Sequence, residues 1–353
     1  MIKKIVIFLT VMVALIAGAE LIARFVFGFG SPLLFELSGD REYRVKPNQN
    51  ILRWGNHIMV NEQGLRNGPI TLAPRKDSLR ILCIGDSLTH GGEKIDQAET
   101  YPYKLEIELS ALGVPCEVLN AASPGWSITN EANYIKKYGL YGSEVLVLLI
   151  NDRDILEEWG NGLDPSYRNE IIEKRPVLAL GEVLNLVRLN IQNILTGIRA
   201  KIFSKTANKK EMSEAEEMKI DAIRRGFIPA DSKEDRADQL RTILWNGRIN
   251  SCNAEIAALK SMPEYARGHG AGAIVVFLDT PMPARYEPGG EKYMVEMYKK
   301  AVMESGGVFI DVTGAIEKAG YKKLFRDNIH LNEQGNKVLA EVIAKEIKDY
   351  LKK

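Results

Sequence analysis

The sequence predicts a three-layer α/β fold, with a parallel five-stranded sheet between helices and a helical insertion between strands 3 and 4. Two observations carry this. From Leu79 onward, short apolar runs alternate with amphipathic stretches, the pattern of βαβ units. The polar motifs rich in chemistry also fall just beyond the apolar runs, at the carboxyl edge where an open parallel sheet binds its ligands.

The chain has 353 residues, enough for one large domain or two ordinary ones, and its 45% hydrophobic and 26% charged content is that of a globular protein. A formal net charge of +1, with no arginine-rich arm and no basic stripe interleaved with aromatics, gives no basis for nucleic-acid binding.

Residues 1–29 stand apart as a signal anchor or signal peptide. Lys3 and Lys4 precede an uncharged run from Ile5 to Ala19 that ends in Ala17-Gly18-Ala19. Fifteen helical residues span only about 22 Å against roughly 30 Å of hydrocarbon, which with the Ala-x-Ala triplet suits a cleaved signal peptide. Apolar residues resume, however, through Leu21, Ile22, Phe25, Val26 and Phe27, and Glu20 could pair with Arg24 four residues on, giving an anchor that continues to about Phe29. In both cases the lysines hold the N-terminus in the cytoplasm and send the rest outside. The localisation expected is a single-pass membrane protein with an extracytoplasmic catalytic domain, or a secreted or periplasmic one.

Residues 30–78 read as an extended arm, and residues 79–353 as the main domain. Strands are expected at Arg80 to Ile84, Cys116 to Leu119, Glu144 to Ile150, Ala273 to Leu278 and Val308 to Val312. A helix should start near Thr100, with Pro102 in its first turn, where a missing N–H costs nothing. The last helix carries Val338, Leu339, Val342, Ile343, Ile347 and Leu351 on one face. About 120 residues separate the third strand from the fourth, too long for an ordinary loop, and define an insertion over about 153–270. An apolar stripe from Leu180 through Leu184, Val187 and Ile191 to Ile202 marks a long helix there, either packed on the main body, capping the active-site mouth, or facing a membrane. A charged stretch from Lys205 to about Asp238 reads as a solvated face or linker, and a second helical pattern runs from Leu240 to Leu259. Cys83, Cys116 and Cys252 are too few for a disulfide framework; a Cys83–Cys116 bridge between neighbouring strands is conceivable.

The chemistry sits in four motifs. Gly85-Asp86-Ser87 ends the first strand, Asn120 to Gly125 the second, and Asn151-Asp152 the third; Asp327-Asn328-Ile329-His330 precedes the last helix. A serine hydroxyl is a poor nucleophile until an imidazole accepts its proton, and the imidazole works best when a carboxylate fixes its tautomer. Ser87, His330 and Asp327 fill those roles. The developing oxyanion needs pre-aimed donors, and Ser87 N–H, Gly125 N–H and the Asn151 side-chain amide are the candidates, since Pro124 has no N–H.

These blocks together resemble the SGNH or GDSL hydrolase family, whose marks are a Gly-Asp-Ser-Leu serine, a loop glycine, an asparagine and an Asp-x-x-His pair. The resemblance runs from about Tyr43 to the C-terminus and is weakest in the insertion. It implies a flavodoxin-like sheet of strand order 2-1-3-4-5. Lys46-Pro47-Asn48 and Asn61 to Arg66 are similar to the arm of membrane-anchored bacterial members. One departure is that Leu149 stands where the third block usually has glycine.

Other polar residues were weighed against these. His90 lies on the first turn after Ser87 and lacks the reach of a base from another loop; His57 and His269 read as structural or solvated. Asp86 should hold its loop rather than act as an acid. Asp152, Arg153 and Asp154 invite a metal reading that no His-rich or carboxylate cluster supports. Arg285 and Tyr286 are candidates for the substrate mouth. The function expected is an exported serine ester hydrolase working through an acyl-enzyme, with no cofactor and no metal, acting on O-acyl groups of envelope glycans or on lipid esters. The alternatives are an O-acyltransferase using the same triad and a non-catalytic envelope-binding or assembly protein.

Overall fold

The computed structural model describes residues 1–37, 43–152, 154, 173–188, 191, 237–280 and 290–352, without the side chains of 237–252, 290–294 and 322. Arg153, Arg285, Tyr286, the stripe beyond Ile191 and most of the charged stretch lie outside them. The chain divides into two compact units: residues 1–32, 51–55 and 172–247, and residues 33–50, 56–171 and 248–353.

In the first unit, helix α1 spans Ile2–Phe25 and is solvent-exposed along its apolar run. Its 24 residues rise about 36 Å, longer than the roughly 30 Å hydrocarbon core. Among the described residues it is the one helix long and apolar enough to cross a membrane, with a mean hydropathy of 2.6 over its best window. Glu20 and Arg24 pair at 2.7 Å, as their spacing suggests. A helical stretch, 179–188, belongs to the same unit.

The second unit starts with arm strands β1 (Phe35–Leu37) and β2 (Tyr43–Val45), which pair antiparallel; along the chain follow β3 (Gln49–Arg53), whose residues 51–53 belong to the first unit, and β4 (Asn56–Val60). The main sheet consists of β5 (Leu79–Gly85), β6 (Cys116–Asn120), β7 (Val145–Asn151), β8 (Gly272–Leu278) and β9 (Val308–Asp311). Its order is β6-β5-β7-β8-β9, all parallel, which is 2-1-3-4-5 within the sheet. Each expected strand is present to within a residue at either end.

Alternation of side chains explains why these runs are almost wholly apolar. In β7, Leu146, Leu148 and Ile150 face one core with Leu82, Ile84, Val275 and Phe277, while Val145, Val147 and Leu149 face another with Ile81, Cys83, Ile274 and Val276. Both faces are covered, so a polar side chain here must find a partner inside, as Arg80 does in Glu117. The first face is covered by α4 (Ile128–Tyr138), α5 (Ala237–Gly268) and α6 (Gly290–Glu304) through Ile135, Leu259, Met262 and Tyr298. On the other lie α3 (Tyr101–Ala111), the short α7 (Thr313–Lys318) and α8 (Glu333–Tyr350), with Leu105, Ile316, Leu339 and Ile343 inward. Thr100 is the N-cap residue of α3 and Pro102 sits in its first turn. Leu351, placed on the inward stripe of the last helix by its spacing, is exposed beyond the helix end.

Cys83 and Cys116 are free and buried. Their strands are neighbours, but Cys83 lies opposite Asn120 and Cys116 opposite Leu79. Four rungs at about 3.3 Å each put the sulfurs far beyond disulfide reach.

Glu255 of α5 is fully buried and accepts from Thr129 N–H (2.8 Å) and Thr129 Oγ1 (3.0 Å), satisfying the start of α4. Burial lifts its carboxyl to about 7 against the pull of these donors. An unfolded glutamate ionises near 4.3, so between about pH 4.5 and 7 the folded state holds a proton the unfolded state has shed. Stability should therefore fall as pH rises through that window. Thermal melts of Glu255→Gln are expected to gain on the unaltered protein from pH 5 to 7; a difference independent of pH would contradict this assignment.

Candidate active site

Gly85 closes β5 where the backbone must turn sharply into α2 (Ser87–His90). A Cβ on Gly85 would lie 2.2 Å from Thr89 Oγ1 and 3.2 Å from the Leu149 carbonyl, so only glycine lets the turn pack this closely. Asp86 is the N-cap: its buried carboxylate accepts Leu88 N–H at 2.7 Å, and burial raises its pKa. Its role is to hold the loop. Ser87 is thereby the first residue of α2, where a backbone N–H has no partner within the helix.

His330 Nε2 lies 3.0 Å from Ser87 Oγ, although 243 residues separate them in the chain. On the other side of the ring, Nδ1 is 3.0 Å from both Asp327 oxygens. The turn that carries both is tight, with Asp327 Oδ1 accepting the N–H of His330 (2.8 Å) and of Ile329 (2.9 Å). Burial by itself would raise the Asp327 pKa, but those two N–H groups and the imidazole bring it down to about 2. Asp327 is therefore a fixed carboxylate at any ordinary pH, and Nδ1–H donating to it leaves the Nε2 lone pair facing the serine hydroxyl. Arg326 stands beside the pair, its Nε 3.6 Å from Asp327 Oδ2.

The candidate oxyanion groups come from two further strand ends. Gly125 has φ +77°, a left-handed conformation that explains glycine after Pro124. The arm pins its loop, because Tyr43 Oη donates to the Pro124 carbonyl (2.8 Å) and Trp126 Nε1 donates to the Tyr43 carbonyl (2.8 Å). Asn151 ends β7, two residues beyond Leu149, which lies opposite Gly85. Its Nδ2 donates to Asp154 Oδ1 at 2.6 Å and its backbone N–H to Asp154 Oδ2 at 2.8 Å, so Asp154 orients the amide. Asp152 accepts from Thr280 N–H and Oγ1. The two carboxylates that suggested a metal thus act as clamps on the ends of β7 and β8.

His90 is buried on α2, its Nδ1 accepting Gly92 N–H at 3.2 Å, and burial followed by the nearby Arg66 cation pushes its pKa well below the usual value. It is a neutral wall residue. His57 meets Asn50 Oδ1, and His269 stacks on Tyr265.

Sequence reasoning missed the residues that brace this site from the arm. Arg66 is buried and donates to the carbonyls of His90 (2.6 Å), Gly92 (2.7 Å) and Ile95 (2.6 Å) and to Gln97 Oε1 (3.2 Å). Asn67 spans to β6 through Val118 O and Asn120 N–H, and Asn120 Nδ2 donates to Thr89 O at 2.9 Å. Arg66 ends the arm motif and Asn67 follows it, but bonds to backbone groups leave no pattern in side-chain types.

No family model matches the sequence, and no curated protein does. Solved structures align with it at low identity. An esterase EstA from Pseudoalteromonas sp. is 12% identical over 78% of this chain and 99% of that one, with a TM-score of 0.41. A G-D-S-L lipolytic family member from Veillonella parvula is 12% identical over 76% and 98%, at 0.36. A gut microbial diltiazem-metabolizing enzyme is 13% identical over 79% of this chain, at 0.39, and this chain spans about half of its length (48%).

Removing the Arg66 guanidinium takes this donor from three backbone carbonyls, while Gln97 Oε1 keeps Met59 N–H; each buried acceptor left unpaired costs about 1–3 kcal/mol. Arg66→Met is expected to lower unfolding free energy by at least about 3 kcal/mol in denaturant titration; a loss within error of zero would show that water satisfies segment 90–97 equally well.

Proposed function

We propose that this protein is a carboxylic ester hydrolase that works through an acyl-enzyme on Ser87. The observation that carries the reading is the continuous line from Ser87 Oγ through the His330 ring to Asp327, with 3.0 Å on each side of the imidazole. Ser87 Oγ attacks the ester carbonyl as His330 Nε2 takes its proton. The carbonyl electron pair moves to oxygen, where Ser87 N–H, Gly125 N–H and the Asn151 amide are the donors. Collapse breaks the bond to the alcohol, which leaves with the proton from His330, and Ser87 keeps the acyl group as an ester. Water then repeats the sequence with His330 again as base, releasing the acid and restoring the serine.

The rest of the reading concerns place and substrate. α1 serves as a signal anchor or export signal, so the catalytic unit works outside the cytoplasm. Esters met there include O-acyl groups on envelope glycans, which we take as the substrate class, and lipid esters as the second choice.

Purified protein should hydrolyse a short-chain aryl ester, and Ser87 should label with a fluorophosphonate probe. Ser87→Ala is expected to abolish labelling and to lower kcat by at least about 10³-fold; labelling that survives the substitution, or its absence from the unaltered protein, would sink the proposal. Tyr43 acts by positioning the Gly125 loop. Tyr43→Phe should reduce kcat several-fold with KM nearly unchanged, whereas an equal change in both constants, or in neither, would remove Tyr43 from the positioning of that loop.

A further inference from the structure

The first unit carries apolar side chains that its own fold leaves uncovered, and they gather at one end of α1. The helical stretch 179–188 begins on Glu20 itself, whose carboxylate accepts the N–H of Ala179 and Leu180, each at 2.9 Å. Arg24 adds a bond to Val177 O at 3.0 Å. One face of this stretch is committed: Glu182 takes Gly30 N–H at 2.7 Å and an ion pair from Arg53, and Arg53 also donates to Gly28 O and lies over the Trp54 ring. The opposite face is an i, i+4, i+7, i+11 stripe of Leu180, Leu184, Val187 and Ile191, with Leu184 68% and Ile191 51% exposed.

Trp54 is the second, independent observation. It sits at a turn with φ +55°, followed by Gly55 at +80°, and its ring is 40% exposed and edge-on to Phe29 at 4.7 Å. A bulky residue in left-handed backbone is costly, and although Arg53 and Phe29 pack against the indole, much of it stays exposed. An indole half in and half out of apolar surroundings is the usual side chain of the membrane–water boundary.

We propose that the 179–188 helix and the Trp54 turn together form a collar that lies in the membrane interface around the end of α1. The proposal rests on the anchor reading of α1 given above. Depth is what decides the occupant. Glu20 and Arg24, paired in the last turns of α1, lie toward the headgroups rather than the bilayer centre, and the 179–188 helix is hydrogen-bonded to Glu20. A helix held there with one apolar face enters the headgroup and acyl boundary by roughly 5–10 Å. The exposed cations Lys174, Arg175 and Arg188, against the single exposed acid Glu173 in the stretch, suit anionic lipid; Glu182 is taken up by Arg53.

The full-length chain, reconstituted in vesicles of phosphatidylethanolamine and phosphatidylglycerol, tests this with tryptophans placed by Leu184→Trp, Val187→Trp, Asn185→Trp and Val13→Trp. Their emission is compared in lipids brominated near the carbonyl and deep in the tail, thermal melting confirming that each variant folds. The tryptophans at 184 and 187 should lose most of their added emission to the shallow bromines, the one at 13 to the deep bromines, and the one at 185 to neither. Emission at 184 and 187 that ignores both lipids while position 13 is quenched overturns the collar and leaves the anchor. Quenching at 184 and 187 without any at 13 removes the anchor and keeps the membrane surface. Emission that ignores lipid but changes with protein concentration assigns the face to a second copy of the chain and overturns the proposal.

Discussion

A guanidinium with no exposure must find acceptors, and the one at Arg66 finds them in the backbone just after the candidate nucleophile. By bonding the carbonyls of His90, Gly92 and Ile95, it adds three ties to a segment that the arm also holds through Glu93, Asp96 and Gln97. That segment joins α2 to α3, so the position of Ser87 depends on a residue from an arm that has no chemistry of its own. Burial draws the Arg66 pKa to about 9, with Asp96 resisting the fall, so it remains a cation and keeps its full set of donors at neutral pH. A second buried arginine, Arg80, does the same work at the other end of β5, pairing with Glu117 at 2.8 Å and bonding the carbonyls of Thr71, Leu72, Ala73 and Tyr141. Between them the two side chains sew the arm to the sheet at both edges.

The Gly125 loop is held by the same logic from three directions. Tyr43 of the arm grips the Pro124 carbonyl, Trp126 returns a bond to Tyr43, and Glu255 of α5 closes the start of α4 just beyond. None of these contacts is local in sequence. A donor aimed at a developing charge is useful only if it does not have to be moved there, and long-range clamps of this kind are how a loop is made to keep its aim.

What could be read from the sequence follows from this division of labour. The five strands were legible because both faces of the sheet are buried, so each strand becomes a nearly unbroken apolar run with little room for variation. The convergence of Ser87, Asp327 and His330 was legible from their motifs, and Gly85 because its turn restricts the space. Arg66, Asn67, Asn120 and Tyr43 were not, since each acts on a carbonyl or an N–H that every residue possesses. Asp154 could not be assigned its partner from sequence: it orients Asn151 while Asp152 binds Thr280, and neither pairing leaves a spacing pattern. The Cys83–Cys116 idea failed on register, which strand prediction does not supply.

The 243 residues between Ser87 and His330 also set an order of events during synthesis. Strands β5, β6 and β7 can pair as soon as they leave the ribosome, and Ser87 can be in its final turn while more than half of the chain is still to be made. The imidazole is among the last groups to arrive, on a turn that docks only after β8 has been added and the sheet is nearly complete. A chain that stops short of residue 330 would therefore hold Ser87 with no imidazole beside it.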